Sequence, residues 1–566
     1  MNNQLYSVVK KKKSPLRIGI MLDNLHPPMW IHKIISEIAI SDICKLSTVI
    51  LNNQTKIKKK SIYERFLNIL RGKSNFNNYL WYLYQFLDKK KHSQKNTIFQ
   101  PLNVEELISS AHIHSVKPIK KGAYEYFHSK DISFIKSKNL DVMIRFGFNI
   151  LKGDILKCSK FGIWSYHHGD NNFFKGGPSG FWEMYEKNPL TGCVLQILTD
   201  VLDGGKVIYR SYGSTSNFIS LIENRFNLYN KSIPFVMRCL RLLYSQEFLK
   251  IERKKVKDRK KIYKTPNNFQ MLIFFMRVIY QMLKNRVEVL FKVNRDFWYL
   301  GYLPKKKLKP KNEKFIKINS PKGNFWADPF LYCNGNKTYL FFENFSFDQR
   351  KGKISCAEMT QEGIKQPVKT ALSKNYHVSY PNLFKFKKDH YLIPETSGDK
   401  SISIFVAKNF PEKWEMKKKI FTGINAVDST IVRYKKLWFL FSSINEYQSS
   451  TSDELFLFYS INPFAKWTPH PMNPIISDVR SSRSAGKIFT YKNNLYRPSQ
   501  DCSKTYGSRI CVNKITEISK SNYKEIFSHY IEPGFNNDGC HTLTFTDSLT
   551  VLDFKKTHNI FSKRSF

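Results

Sequence analysis

The stretch WADPFLYCNGNKTYLFFEN, residues 326–344, decides how the larger half of this chain is read. Two short runs of aromatic and aliphatic residues flank Asn-Gly-Asn, the composition of a strand, a tight turn and a second strand. Asp328 sits in the first run and Glu343 at the end of the second. Working outward, similar first runs recur as VSYPNLF at Tyr380, AVDSTIV at Asp428, RSAGKIF at Arg483 and CHTLTF at His541. The spacings between these markers are 52, 48, 55 and 58 residues, and most are followed by a second run such as DHYLIPETS, KLWFLFSS or NNLYRPSQD. A period near fifty with several strands per unit predicts a β-propeller blade, and five units fit. The run FWYLGYL, residues 297–303, is predicted to pair with LTVLDF, residues 549–554. That pairing would close the ring and remove exposed strand edges.

In a propeller the first strand of each blade lines the central channel. Asp328, Tyr380, Asp428, Arg483 and His541 are therefore expected to converge there. Glu343 and Glu395 end second strands, while Arg497, Gln500 and Asp501 follow another, and all ten are candidate ligand contacts. Carboxylates flanking a cleft suit glycosidic chemistry, one protonated as acid and another ionised as base or nucleophile. The alternative is that the acids pair with Arg483 and Arg497 and tie the blades together. The phrases ADPF, SYP, PE, DST, RSAG, RP-QD, YG and HT, spread over residues 296–555, resemble the five-bladed N-terminal domain of plant glucosamine inositolphosphorylceramide transferases. The resemblance implies a carbohydrate context. Asp328, Asp428 and Glu395 are also similar in placement to the acids of five-bladed glycosidase propellers.

The first half turns on residues 162–205, GIWSYHHGDNNFFKGGPSGFWEMYEKNPLTGCVLQILTDVLDGG. Its landmarks resemble the formyltransferase family, which moves a formyl group from 10-formyltetrahydrofolate onto an amine. The resemblance implies that His167 is the acid/base and Asp203 its orienting carboxylate. Ser165 stands where the family has asparagine, so Ser165 and His168 would form an altered oxyanion side. Asn171, Lys175 and Thr191 would contact substrate, with Lys175 in place of an arginine. Around this core, RIGIML at residues 17–22 reads as a buried strand and WIHKIISEIA as a helix. DVMIRFG, residues 141–147, reads as the strand before the catalytic one. Short apolar runs alternating with helical patterns predict a parallel sheet covered on both faces.

The chain has 566 residues and a formal net charge of +47, from 92 Lys and Arg against 45 Asp and Glu. Such an excess favours polyanionic partners, but no nucleic-acid-binding motif is present, so no specific nucleic acid is expected. Nine cysteines stand singly without a C-x-x-C pair, which suits a reduced cytoplasmic compartment. The N-terminus does not read as a signal peptide, and no metal constellation is apparent, although a channel of acids could hold Ca²⁺. The window MLIFFMRVIYQML, residues 271–283, is too short to span a bilayer. Flanked by lysines, it reads as a packed linker helix or as a helix lying on a membrane surface.

The resulting expectation is an α/β Rossmann-like formyltransferase domain and an all-β five-bladed propeller joined by a helical connector. Residues 1–14 would be a basic tail, 15–235 the α/β domain with a helical insertion at about 61–95, 236–294 a basic helical linker, and 295–566 the propeller. Three functions follow. The first is a transferase of surface-polysaccharide or glycolipid biosynthesis that formylates an amino sugar, with the propeller gripping the glycan. The second is a glycosyl-transferring or glycoside-hydrolysing propeller beside a degenerate N-terminal domain. The third is a non-enzymatic carbohydrate-binding protein. Expected partners are an amino-sugar nucleotide or lipid-linked glycan, with peripheral association at the anionic inner face of the membrane.

Overall fold

The computed structural model describes residues 4–8, 14–53, 76–92, 94–201, 204–216, 218–245, 261–290, 295–311, 313–534 and 536–558. Asp203, residues 61–75 of the expected insertion, residues 246–260 of the expected linker and residues 559–566 lie outside them. The chain divides into two compact units, one mainly Val8–Met282 and the other mainly Leu283–Phe566.

The first unit is built on a seven-stranded sheet. Its strands are β1 (Leu16–Leu22), β2 (Cys44–Asn52), β3 (His112–Val116), β4 (Val142–Arg145), β5 (Ile163–His167), β6 (Leu190–Ile197) and β7 (Lys206–Ser214). The order is β7-β6-β5-β4-β1-β2-β3. Strands β1 to β5 pair in parallel, whereas β6 runs antiparallel to both β5 and β7. The sheet is therefore mixed rather than all parallel. A parallel partner needs a crossover of a dozen or more residues, and residues 198–205 are too few to supply one between β6 and β7. Helix Met29–Ala39 buries Trp30, Ile31, Ile34, Ile35 and Ile38, the helical spacing that makes one apolar face. Those residues join Ile18, Ile20, Val142, Ile144 and Trp164 in one core.

The second unit consists of five antiparallel sheets among the described residues. The first joins strands from both ends of the unit: Arg295–Leu303 pairs with Thr550–His558 from Arg295↔His558 to Leu303↔Thr550. This is the pairing predicted to tie the two ends together. The other sheets follow in sequence and begin with Asn324–Asn334, Ser379–Phe386, Ala426–Tyr434 and Phe489–Tyr491. In the fifth, the RSAG run is not a strand. Ser484 and Gly486 make only isolated bridges, to Ser499 and Leu543.

Apolar residues fill the spaces between consecutive sheets. Phe330 and Phe341 of the second pack with Phe405 and Trp414 of the third. Val512 of the fifth packs with Leu543 and Leu552 of the first. Residues Leu5 and Tyr6, read as part of a basic tail, are buried in this unit. The Leu5 carbonyl accepts from Asn473, and Tyr6 meets Phe456 edge-on at 6.1 Å.

Candidate functional site

Three sheets of the second unit carry the same irregularity in their first strand. Register shifts fall between Ala327 and Phe330, between Ser379 and Asn382, and between Val427 and Thr430. The residue inside each bulge adopts the left-handed conformation: Asp328 at φ 50°, Tyr380 at 47° and Asp428 at 48°. This region is uncommon for residues other than glycine, and each such residue costs about 1–3 kcal/mol. Bulges re-aim side chains, and here Asp328 and Asp428 are aimed at one buried cluster, to which Tyr380 lends its backbone N–H while its hydroxyl bonds Thr430 and Gly486.

Asp328 lies at its centre. Its carboxylate accepts from Thr542 Oγ1 at 2.9 Å and from the Tyr380 backbone N–H at 3.2 Å, with His541 Nε2 at 3.6 Å. The other ring nitrogen of His541 contacts Asp553, whose carboxylate also accepts the backbone N–H groups of Asp328, His541 and Thr542. Trp298 stacks on the His541 ring at 4.0 Å. Asp428 accepts from Arg483 Nε at 2.6 Å and from Gln500 Nε2 at 3.1 Å. The Arg483 guanidinium also lies 3.7 Å from Glu395 and 4.8 Å from the centre of the Tyr506 ring. Glu343 faces His377 Nε2 at 3.5 Å. His377 Nδ1 accepts the Gly352 N–H, so its proton is on Nε2, toward Glu343.

Five carboxyl groups thus share one buried region with two cationic groups, and burial separates their acidities. It lifts Asp428 to about 7 against the pull of Arg483, and Asp328 to about 6 against the pull of His541. Burial, reinforced by repulsion from Asp328, Glu395 and Asp428, pushes Glu343 well above the carboxylate range. The same surroundings favour the protonated form of Glu343. Burial works against a charged His541, but Asp553 and Asp328 outweigh it and hold its pKa above the ordinary value.

Of the ten residues expected at a channel, eight meet here. Arg497 and Asp501 do not. Arg497 is fully buried in a paired contact with Glu525 at 2.7 and 2.8 Å, within the fifth sheet. Asp501 accepts from Ser503 and Arg509. Along a strand successive side chains alternate faces, so adjacent Gln500 and Asp501 part company. Sequence reasoning missed Asp553, His377, Thr542 and Tyr506. Asp553 was visible only as one residue of a closing strand, and nothing in its neighbours marked it.

In the first unit, among the described residues, the expected formyl-transfer residues do not form one site. Ser165 accepts from Arg145 Nη1 at 2.8 Å beside a cavity of about 90 Å³ lined by Arg145, Gln196 and Leu198. His167 Nε2 is 2.8 Å from the Phe174 carbonyl, which only accepts, so that nitrogen carries its proton there. His168, just past the end of β5, lies beside Tyr166 rather than beside Ser165. It stacks on Tyr229 at 3.8 Å and bonds Ser232 at 3.1 Å, and burial lowers its pKa to about 3. It is a packing residue, not an oxyanion donor.

Asn171 is buried between Gln196 and Arg210, and Thr191 bonds Thr215 and Asn224. Lys175 is buried in a two-residue strand paired with Ile262–Tyr263.

Comparison with known proteins places the second unit. Residues 312–535 match the family described as Glucosamine inositolphosphorylceramide transferase 1, N-terminal. Proteins named Glucosamine inositolphosphorylceramide transferase 1 are similar over 207 residues: 36% identical in Oryza sativa subsp. japonica and 37% in Arabidopsis thaliana. The match covers 36% of this chain in both cases, and 28% and 27% of the relatives, so the chain spans less than a third of their length. Among solved structures, a glycinamide ribonucleotide transformylase from Symbiobacterium toebii has a TM-score of 0.29 at 12% identity, covering 42% of this chain and 90% of that one. A family 117 glycoside hydrolase from Zobellia galactanivorans has a TM-score of 0.32 at 13% identity, covering 46% and 91%. The second unit is thus an antiparallel-sheet domain similar to the N-terminal domain of glucosamine inositolphosphorylceramide transferases.

Proposed function

We propose that the five sheets of the second unit are the blades of one propeller, and that its acid cluster transfers a glycosyl group in glycolipid or surface-polysaccharide assembly. The observation that carries this reading is the separation of acidities within one cluster. Burial and the neighbouring acids favour a proton on Glu343, while Asp428, near 7, can receive one. As the bond from sugar to leaving group breaks, the Glu343 proton passes to the leaving oxygen. The acceptor hydroxyl attacks the anomeric carbon and gives its proton to Asp428. The Asp328 carboxylate, held by Tyr380, Thr542 and His541, opposes the positive charge that develops on the ring. Similarity to the relatives supports a lipid-linked acceptor and an amino-sugar donor.

The test incubates the full chain with UDP-N-acetylglucosamine or UDP-glucosamine and inositolphosphorylceramide vesicles, and follows release of UDP. Asp428→Asn and Glu343→Gln should each lower turnover by about 10²–10⁴, the usual worth of one acid or base. The rate should rise with pH through about 7 as Asp428 ionises. If both variants keep full turnover, the acids only hold the sheets together. If turnover is absent throughout while the Asp428 variant loses glycan binding, the cluster is a binding site.

A further inference from the structure

The helix Asn268–Leu290 has two apolar faces, and one of them is bare. Met271 and Phe274 are buried against Trp81, Tyr84 and Phe181, which fixes the first turns of the helix to the first unit. On the other side Phe269, Leu272, Met276, Ile279, Tyr280 and Leu283 are each more than half exposed. At about 100° per residue these six fall within an arc of roughly 100°, running for about 21 Å along the helix axis. Arg277 and Lys284 border the arc on one side and Arg286 on the other. Among the described residues no helix is long and apolar enough to cross a membrane.

We propose that this face docks on an anionic lipid surface, lying in the interface with its apolar ridge below the headgroups and its arginines and lysine among them. Lateral basic borders around an apolar stripe are the arrangement of helices that rest in the plane of a bilayer. Charge selects the occupant. A second copy of the chain would set the same cationic borders against each other, and the net charge of +47 adds to that repulsion. An anionic leaflet attracts both. The inference stands apart from the glycosyl-transfer reading, because it uses no residue of the acid cluster.

The experiment is flotation of the full chain with phosphatidylcholine vesicles, with and without about one-third phosphatidylglycerol. Binding should require the anionic lipid and weaken with added salt. Arg277→Gln/Lys284→Gln should weaken it roughly 25-fold, about fivefold for each charge. Leu272→Glu/Ile279→Glu should abolish it. Met416→Glu, which alters an exposed apolar residue of the second unit, should bind as the unaltered chain does. Absence of vesicle binding, or equal binding by all variants, overturns the proposal. So does sedimentation showing a dimer that Leu272→Glu/Ile279→Glu dissociates, which would make the face a contact between copies.

Discussion

Replacing Arg483 by methionine tests whether the acid cluster is held by charge. The guanidinium is nearly buried and touches Asp428 and Glu395, while His541 is the counter-charge beside Asp328 and Asp553. Removing one partner of a buried pair costs about 3–5 kcal/mol, because the other charge is left uncompensated. For a unit of this size each kcal/mol moves the melting temperature by about 2–4 °C, so a fall near 10 °C is expected at pH 8.

The sign of the pH dependence follows from linkage. Asp428 and Asp328 have folded pKa values raised to about 7 and about 6. Between about pH 4 and 7 the folded state therefore binds more protons than the unfolded state, and stability falls as pH rises through that window. Without Arg483, Asp428 is pushed higher still, so the variant should lose stability more steeply and recover most of it near pH 5. Arg483→Met/Asp428→Asn should recover it at pH 8 as well. The assay is calorimetry of the full chain, with the two units treated as separate transitions. A variant that melts within 2 °C of the parent at pH 8, with an unchanged pH profile, would refute the charge account.

Other outcomes follow from neighbouring geometry. Tyr380→Phe removes a hydroxyl that bonds Thr430 and both backbone groups of Gly486, and should cost about 1–3 kcal/mol in denaturant titration. A Cβ at Gly352 would come within 2.7 Å of the Glu343 carboxyl and 2.9 Å of the Val378 carbonyl. Gly352→Ala should therefore cost about 1–3 kcal/mol and lower UDP release along with it. Burial holds His168 neutral down to about pH 3, so its ring should show no protonation in ¹⁵N NMR at pH 5. A midpoint near 6.5 would place it in solvent.

Much of the framework was legible because it rests on local pattern. The hairpin of residues 326–344, the return of its like at near-fifty spacing, and the pairing of FWYLGYL with LTVLDF all follow from alternation, turn residues and the need to cover edges. The helix at 29–39 was readable from its apolar period. The mixed sheet of the first unit was less so. Its last strands look as apolar as the parallel ones, and only the shortness of residues 198–205 marks the reversal.

The residue chemistry of each site belonged to a different level. From the sequence alone, Asp328, Tyr380 and Asp428 could be placed at matching points of a repeat, and His167 and Ser165 on one face of a strand, since both statements need only periodicity. What the tertiary structure decided was which neighbours arrive from distant segments. Asp553 takes the backbone of His541 and Thr542, Arg483 takes Asp428, and the Phe174 carbonyl takes the His167 proton. It also drew Arg497 away to Glu525. Contacts of that kind depend on which strands come side by side and how a bulge turns a side chain. Burial then sets the proton affinity of each carboxyl, and that quantity exists only once the chain has excluded water around it.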